Sequence, residues 1–397
     1  MGQKKACMKS TVISFMLLVV MVFAMSVTVA AATPTNVRQT SDSDTSVRIE
    51  WTGVAGAGYY GIQVATDAGF ANVISGYYRT SSSSYTYISG LVAGSSYYVR
   101  IGCGADRDHC YENWSSPIEV VTTPAKVSTV KFTGATDKKA TIAWNAVSGA
   151  NRYVVEYNGK KYTTDQNTYA LPYASGASSA KVLSERVSST GYVADTISAY
   201  VYDISALTKK IAKKNLGFVN VYPNINVFQI GANYKGHGMD VKVYNAKTGK
   251  AAFSGTAKNT SYGSVEFRNK FKYNVMYKYR ARAYVTTTDG RKITGDWSSY
   301  RYVVNPKKSQ YSVGSGKIKL KWSKLTGVTK IKVQVSTKEN SGYKTAATLK
   351  GTKTSYTLSK YNKKALKKGR NYYVRILYYS GSNLSDYISQ SRAIKVR

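Results

Sequence analysis

The sequence predicts an all-β protein, a tandem array of about four antiparallel two-sheet sandwiches. Three observations carry this. Segments recur at a period of about 90 residues, the recurring segments alternate apolar and polar residues in twos, and Gly-, Ser- and Asn-rich turns separate them. The chain has 397 residues, enough for two to four domains, and 43% are hydrophobic, enough for packed cores. Tyrosine is abundant, at 36 residues, and favours strands and amphipathic surfaces.

The first 32 residues read as a leader. Lys4, Lys5 and Lys9 precede a nearly uninterrupted apolar run from Thr11 to Val29, and Ala30, Ala31 and Ala32 end it. This is the order of a secretory signal peptide, with cleavage after Ala32. A retained anchor is the alternative, because the run is nearly long enough to span a bilayer. No later segment is apolar enough, so no stable membrane span is expected after cleavage. A secreted, cell-surface-associated protein is the expectation. Cleavage would remove Cys7 and leave Cys103 and Cys110. An even pair in an exported chain points to a disulfide closing the short loop between them. Two free thiols, or a metal site that adds His109, are the alternatives, and the metal case is weak because zinc wants four ligands.

The repeats set the organisation. Leu91-Val-Ala-Gly94-Ser-Ser-Tyr97-Tyr98-Val99-Arg100-Ile101 recurs as Leu366-Lys-Lys-Gly369-Arg-Asn-Tyr372-Tyr373-Val374-Arg375-Ile376. A looser copy runs from Phe271 through Tyr277 to Ala281. A strand ending in Trp appears at Val47–Trp51, Thr141–Trp144 and Ile318–Trp322. The Trp residues lie 93 and 178 residues apart, so one repeat lacks its Trp, near Phe228. Trp114-Ser115-Ser116 is matched by Trp297-Ser298-Ser299. Val47, Ile49 and Trp51 point one way while Arg48 and Glu50 point the other, the pattern of a half-buried antiparallel strand. The boundaries fall at 33–124, 125–207, 217–305 and 306–397, with Thr208 to Leu216 a basic connector or the start of module three.

These residues resemble the fibronectin type III family, through the early Trp, the Leu-x5-Tyr-x-Val-x-Ile run and the late Trp-Ser. The resemblance implies that the Trp and Leu lie in the core and that the Tyr hydrogen-bonds back to the chain as a tyrosine corner. Carried over, Trp51, Leu91 and Tyr97 take these roles in module one, and Trp322, Leu366 and Tyr372 in module four. Module three keeps Tyr277 and Trp297. Module two keeps Trp144 but shows no Leu-x5-Tyr in its later half, so it is degenerate.

Charge is uneven. There are 57 Lys+Arg against 20 Asp+Glu. Residues 33–124 hold 5 and 8, residues 125–305 hold 27 and 10, and residues 306–397 hold 22 and 2. The mature chain therefore has an acidic head and a strongly basic tail. Its densest cationic segment carries Lys360, Lys363, Lys364, Lys367, Lys368 and Arg370, placed just before the Tyr372 strand on the crossing between sheets. Such a patch suits an extended polyanion. The alternative is that these Lys serve solubility and edge protection. The near absence of acidic residues favours the polyanion. Clustered Lys suits teichoic acid, anionic polysaccharide, glycosaminoglycan or anionic lipid as point charges. An exported chain without a nucleic-acid module is not expected to bind nucleic acid.

Catalytic signatures are weak. Gly56-Ala-Gly58-Tyr-Tyr-Gly61 matches G-x-G-x-x-G, but a strand follows it where a dinucleotide site needs a helix. His237 reads as a turn residue, and Asp106 and Asp108 make a poor calcium site. No catalytic residue, metal or cofactor is assigned. The expected function is that of a secreted, non-enzymatic modular protein, and its resemblance to exported bacterial chains with such Lys- and Tyr-rich repeats implies the Gram-positive bacterial type. In it the basic C-terminal modules contact an anionic cell-wall or extracellular polymer, and module one is free to meet a protein or glycan. The alternative is an accessory carbohydrate-binding protein of a polysaccharide-degrading system, holding neutral glycan through exposed Tyr; the outward Tyr78, Tyr98 and Tyr373 either stack on sugar rings so or pack beneath Lys stems, the favoured reading.

Overall fold

Alternation in twos becomes paired sheets. In the computed structural model, which describes residues 32–174, 178–207, 210–222, 226–258, 262–307, 309–386 and 392–397, each repeat is a sandwich. The expected leader therefore lies outside the described residues, apart from Ala32. Among the described residues no helix is long and apolar enough to cross a membrane.

In module one, Thr35–Asp42, Ser46–Thr52 and Tyr85–Ser89 form a three-stranded sheet. Val73–Thr80, Tyr59–Ala65, Ser96–Gly104 and Ile118–Val121 form the facing four-stranded sheet, in that spatial order. Module two repeats the plan, with Val130–Ala135, Lys139–Trp144 and Thr168–Pro172 on one sheet. Its other sheet has Lys160–Thr164, Arg152–Tyr157 and Ser179–Val187, with Val193–Asp195 and Ala199–Tyr202 both pairing with Ser179–Val187. Module three sets Leu216–Tyr222, Val227–Asn233 and Tyr262–Arg268 against a sheet built on Ala251–Lys258, Gly238–Asn245, Met276–Thr286 and Arg301–Val304. Module four sets Gln310–Gly314, Lys317–Lys321 and Ser355–Leu358 against Lys344–Lys350, Lys330–Ser336, Asn371–Ser380 and Arg392–Lys395.

The cores follow from the alternation. In module one Val47, Ile49, Trp51, Leu91, Tyr97 and Ile101 pack into one buried cluster. Trp51 meets Tyr60 edge-on at 5.3 Å. In module four Trp322, Leu366 and Tyr372 lie in the corresponding cluster. Burying each such side chain contributes about 1.5–3 kcal/mol. The tyrosine corner recurs three times. The Tyr97 hydroxyl accepts from Val92 N at 2.9 Å, Tyr277 from Lys272 N at 3.2 Å, and Tyr372 from Lys367 N at 3.0 Å. The third residue after the leading Leu or Phe has φ of +64° at Gly94, +64° at Asn274 and +78° at Gly369. Only Gly and, less easily, Asn adopt that backbone without strain, which explains the residue choice in all three repeats.

Two expectations change here. Phe228 is buried in module three, but it does not replace the missing Trp. The three Trp residues each follow the last pair that their strand makes with the third strand of its sheet, and in module three that place belongs to Tyr234, after the Asn233–Tyr262 pair. Trp51, Trp144, Tyr234 and Trp322 are then 93, 90 and 88 residues apart. Burial pushes the Tyr234 hydroxyl up to about 12. In module two the later half does complete the sandwich. Tyr97, Tyr277 and Tyr372 lie opposite Val120, Val303 and Ile394, and the residue so placed in module two is Ala180, opposite Val201. The small side chain is why no Leu-x5-Tyr is visible there.

The chain packs as two compact units, residues 32–126 with 147–152 and 184–197, and residues 127–146, 153–183 and 198–397. Within the first unit, Arg186 donates to Ser96 Oγ at 2.8 Å and to Gly149 O at 3.1 Å, and the Tyr192 hydroxyl donates to Asp42 at 2.8 Å. Within the second, modules three and four share core. Met276 and Val304 are fully buried in the cluster that holds Trp322.

One close approach in module one gives a test. The loop after Ser96–Gly104 folds back over the outer face of its own sheet. A Cβ on Gly102 would stand 2.6 Å from Cys110 O and 2.7 Å from Glu112 O, both backbone atoms that cannot swing away. Gly102→Ala is expected to destabilise module one by about 2–3 kcal/mol. Gly76→Ala, whose nearest neighbour would be 3.9 Å away, is the matched control. Urea unfolding of the two variants decides it, and equal midpoints would refute the close approach.

Candidate functional site

The six cations singled out in the sequence lie on one short stretch of module four. The chain leaves Ser355–Leu358 and makes a small hairpin, with Lys360 opposite Ala365 and Tyr361 opposite Lys364. Asn362 and Lys363 turn it, with φ of 51° and 65°. Two left-handed residues are the requirement of a tight two-residue hairpin. Leu366 then plunges into the core at 5% exposure, and Tyr361 packs on Tyr372 at 6.0 Å. The crossing between sheets is thus partly a hairpin and not only a loop. Lys360, Lys363, Lys364, Lys367, Lys368 and Arg370 are all exposed. Among the described residues none of them is paired with a carboxylate. Their heads are free for an external anion, while Leu366 and Tyr361 hold the backbone beneath.

A second cationic surface lies on module three, and the charge count alone did not locate it. From Tyr277 to Ala283 the strand Met276–Thr286 alternates, with Tyr277, Tyr279, Ala281 and Ala283 buried and Lys278, Arg280 and Arg282 turned outward. Lys242 on the neighbouring strand stands directly opposite Arg280. Trp297 receives three cations, with Arg282 at 4.6 Å, Arg280 at 4.9 Å and Lys242 at 5.4 Å from its ring centre. Tyr300 receives Lys278 at 4.6 Å and Arg280 at 5.1 Å. The aromatic faces stand in for counter-ions. Asp240 is the one carboxylate among them, and it accepts from Lys292 at 2.6 Å and Arg282 at 3.2 Å. Burial would raise its carboxyl, but those bonds outweigh it and the net shift is downward. Part of the signal is in the sequence, as cations at every second position from Lys278 to Arg282, but the place of Lys242 beside them is not.

Trp-Ser-Ser serves this surface. Ser298 N donates to Ala281 O at 2.8 Å, and Ser298 Oγ accepts from Ala281 N at 3.0 Å, so the segment clips onto the strand and lays Trp297 across it. Module one does the same, with Ser115 on Ile101, and Trp114 stacks on Arg100 at 4.4 Å.

The tyrosines divide. Tyr98 and Tyr373 are half-buried and Tyr78 is 37% exposed, covered by Arg107 at 4.4 Å. Tyr200 and Tyr202 stand parallel at 5.9 Å on an edge of module two, 46% and 65% exposed.

Cys103 and Cys110 are not bridged; both are free, buried thiols. Alternation turns Cys103 into the core with Val99 and Ile101. The loop that carries Cys110 lies over the other face of the sheet, its carbonyl against Gly61 and Gly102. Cys110 Sγ donates to Arg107 O at 3.0 Å instead, and Cys103 Sγ to Ala32 O at 3.3 Å. Burial pushes both thiols up. His109 is exposed and pairs with Asp106 at 2.7 Å. Among the described residues no three His, Cys, Asp or Glu side chains come together. His237 sits in a bend, where its Nδ1 accepts from Thr286 N at 3.0 Å.

A three-stranded sheet facing one of four or five strands is the arrangement in every module, and the tyrosine corner repeats in all but module two. The fold is fibronectin type III-like. Among solved structures, the chain is similar to the FN1-FN3 domains of chicken CNTN1, at 13% identity over 92% of this chain and 99% of that one, with a TM-score of 0.20. It is also similar to a two fibronectin type III domain segment of chicken tenascin, at 16% identity over 43% and 99%, with a TM-score of 0.25. Strand order and the tyrosine corners, rather than these distant likenesses, define the fold. No protein family profile matches the chain, and no curated protein does.

Proposed function

We propose that the chain is a secreted, non-enzymatic modular protein of Gram-positive bacterial type that is held on an anionic cell-wall or extracellular polymer by its basic C-terminal modules. The observation that carries this reading is the set of six exposed cations from Lys360 to Arg370, unpaired with any carboxylate among the described residues. Free surface cations gain from a polyanion what internal ion pairs would otherwise have satisfied, and they release its counter-ions. The acidic first module supports a division of labour in which it meets a different partner, a protein or a glycan. A second reading, an accessory module for neutral glycan, is favoured by the exposed Tyr200 and Tyr202 pair, since parallel rings suit sugar faces.

One titration separates them. Binding of the full chain to Gram-positive cell walls, with and without teichoic acid, is expected to need the anionic polymer and to collapse at a few hundred millimolar salt, roughly as multi-phosphate contacts do. Binding that persists in high salt would transfer the role to the tyrosines.

A further inference from the structure

Modules one, three and four give two answers to one question: what faces the outward cation at the middle of the long strand that follows the tyrosine corner. In module one, Gln63 stands opposite Arg100 and its Oε1 accepts from Arg100 Nε at 2.9 Å and Nη2 at 2.6 Å. In module four, Gln334 stands opposite Arg375 and accepts from its Nε at 2.8 Å. In module three the same pair of positions holds Lys242 and Arg280. A neutral acceptor has been replaced by a second cation. Like charges directly opposite across a sheet are destabilising. Arg280 Nε is shut off from solvent and has no acceptor among the described residues, although Nη2 reaches the Tyr244 hydroxyl at 3.1 Å. The nearby carboxylate, Asp240, is already taken by Arg282, Lys292 and Thr256. Among the described residues the face therefore carries positive charge that rests on aromatic rings and, apart from Asp240, on no carboxylate.

We infer that this face of module three, centred on Lys242 and Arg280 and floored by Trp297, Tyr244 and Tyr300, is a binding site for an acidic polysaccharide. Lys278, Arg280 and Arg282 follow one another in steps of about 7 Å along the strand, with Lys242 beside the middle one. A sugar chain bearing sulfate, phosphate or carboxylate groups meets such a row without leaving its own repeat. The aromatic rings argue against nucleic acid, because stacking of bases needs open ring faces and three cations already occupy Trp297. The inference rests on the reading that the basic modules hold an acidic polymer, and it names where in module three the polymer sits.

Lys242→Gln rebuilds the pair found in modules one and four. In calorimetric titration of the full chain with dextran sulfate at low salt, it is expected to weaken binding by about fivefold or more, while raising Tm because Arg280 regains an acceptor. Lys319→Gln removes the same charge from the outer sheet of module four, opposite Thr357, and is expected to weaken binding by less than about twofold. Equal losses in the two variants would mean that only total charge matters and would overturn the site while leaving the polymer reading intact. No binding by the unaltered chain would overturn both. Uncharged dextran is expected not to bind, and tighter binding of single-stranded DNA than of dextran sulfate would overturn the sugar assignment.

Discussion

Glutamine at Lys360, Lys363, Lys364, Lys367, Lys368 and Arg370 together is expected to weaken retention on an anionic polymer by about 100-fold at low salt. Each exposed charge contact is worth a few tenths of a kcal/mol to about 1 kcal/mol, and six at about half a kcal/mol sum to roughly 3 kcal/mol. The slope of affinity against salt should fall at the same time, by up to roughly five counter-ions. Folding should be spared. The hairpin is held by Tyr361 on Tyr372 and by buried Leu366, and the tyrosine corner uses the backbone N–H of Lys367, not its side chain. Retention on teichoic-acid-bearing walls and thermal unfolding of the same variant check both halves. Unchanged retention would remove this segment from the polymer contact. Unfolding of module four would make it a structural element.

That segment was legible in the sequence because its charges are contiguous. The module-three face was not, although its strand was quoted as a repeat. Its cations lie on two strands and two of its aromatic rings on a loop, and only cross-strand register brings Lys242 opposite Arg280 and both onto Trp297. The cysteines failed for a related reason. Spacing along the chain permits a bridge, but period-two alternation sends Cys103 into the core while the returning loop holds Cys110 on the opposite face. Tyr234 is hidden in the sequence because a Tyr stands where the other repeats carry a Trp. The position itself was fixed by the period, which points within a few residues of Tyr234 rather than at Phe228. By contrast, the three tyrosine corners could be read directly, since each rests on a local backbone turn with positive φ and a fixed interval to the Tyr.

The same repeats show where stability and function part company. Modules one and four resolve the middle of the long strand with a Gln–Arg pair, which satisfies the guanidinium. Module three accepts a like-charge pair there and spreads its cations over aromatic rings. Each module therefore keeps the same buried face, and the chemistry changes on the outward one. Sequence periodicity reports the buried face well and is nearly silent about the other.

Asp386→Ala is expected to uncouple module three from module four. The Asp386 carboxylate accepts from the Tyr279 hydroxyl at 2.5 Å and from Arg301 Nε at 2.9 Å, with Arg301 Nη2 closing a second contact. Arg301 Nη1 goes on to Lys213 O at 2.9 Å. Tyr279 and Arg301 belong to module three and Asp386 to module four, so this carboxylate joins the two. The segment continues the joint through its backbone, as Asp386 N donates to Tyr302 O at 2.7 Å and Ser385 Oγ accepts from Val304 N at 3.1 Å. Burial, then the nearby Asp386, raise the Tyr279 hydroxyl well above its usual range, so it stays a donor. Removing the carboxylate leaves a fully buried hydroxyl and a guanidinium, about 25% exposed, without their acceptor. Loss of a buried pair costs about 3–5 kcal/mol, and the partial exposure of Arg301 brings the expectation to roughly 2–4 kcal/mol. Because Met276 and Val304 place module-three side chains in the module-four core, the two modules should unfold as one cooperative step in the unaltered chain. Differential scanning calorimetry should show that step split into two in Asp386→Ala, with module four melting first because only Met276 and Val304 then tie its core to module three. A single transition at an unchanged temperature would show that the shared apolar core, and not the Tyr279–Asp386–Arg301 cluster, holds the joint.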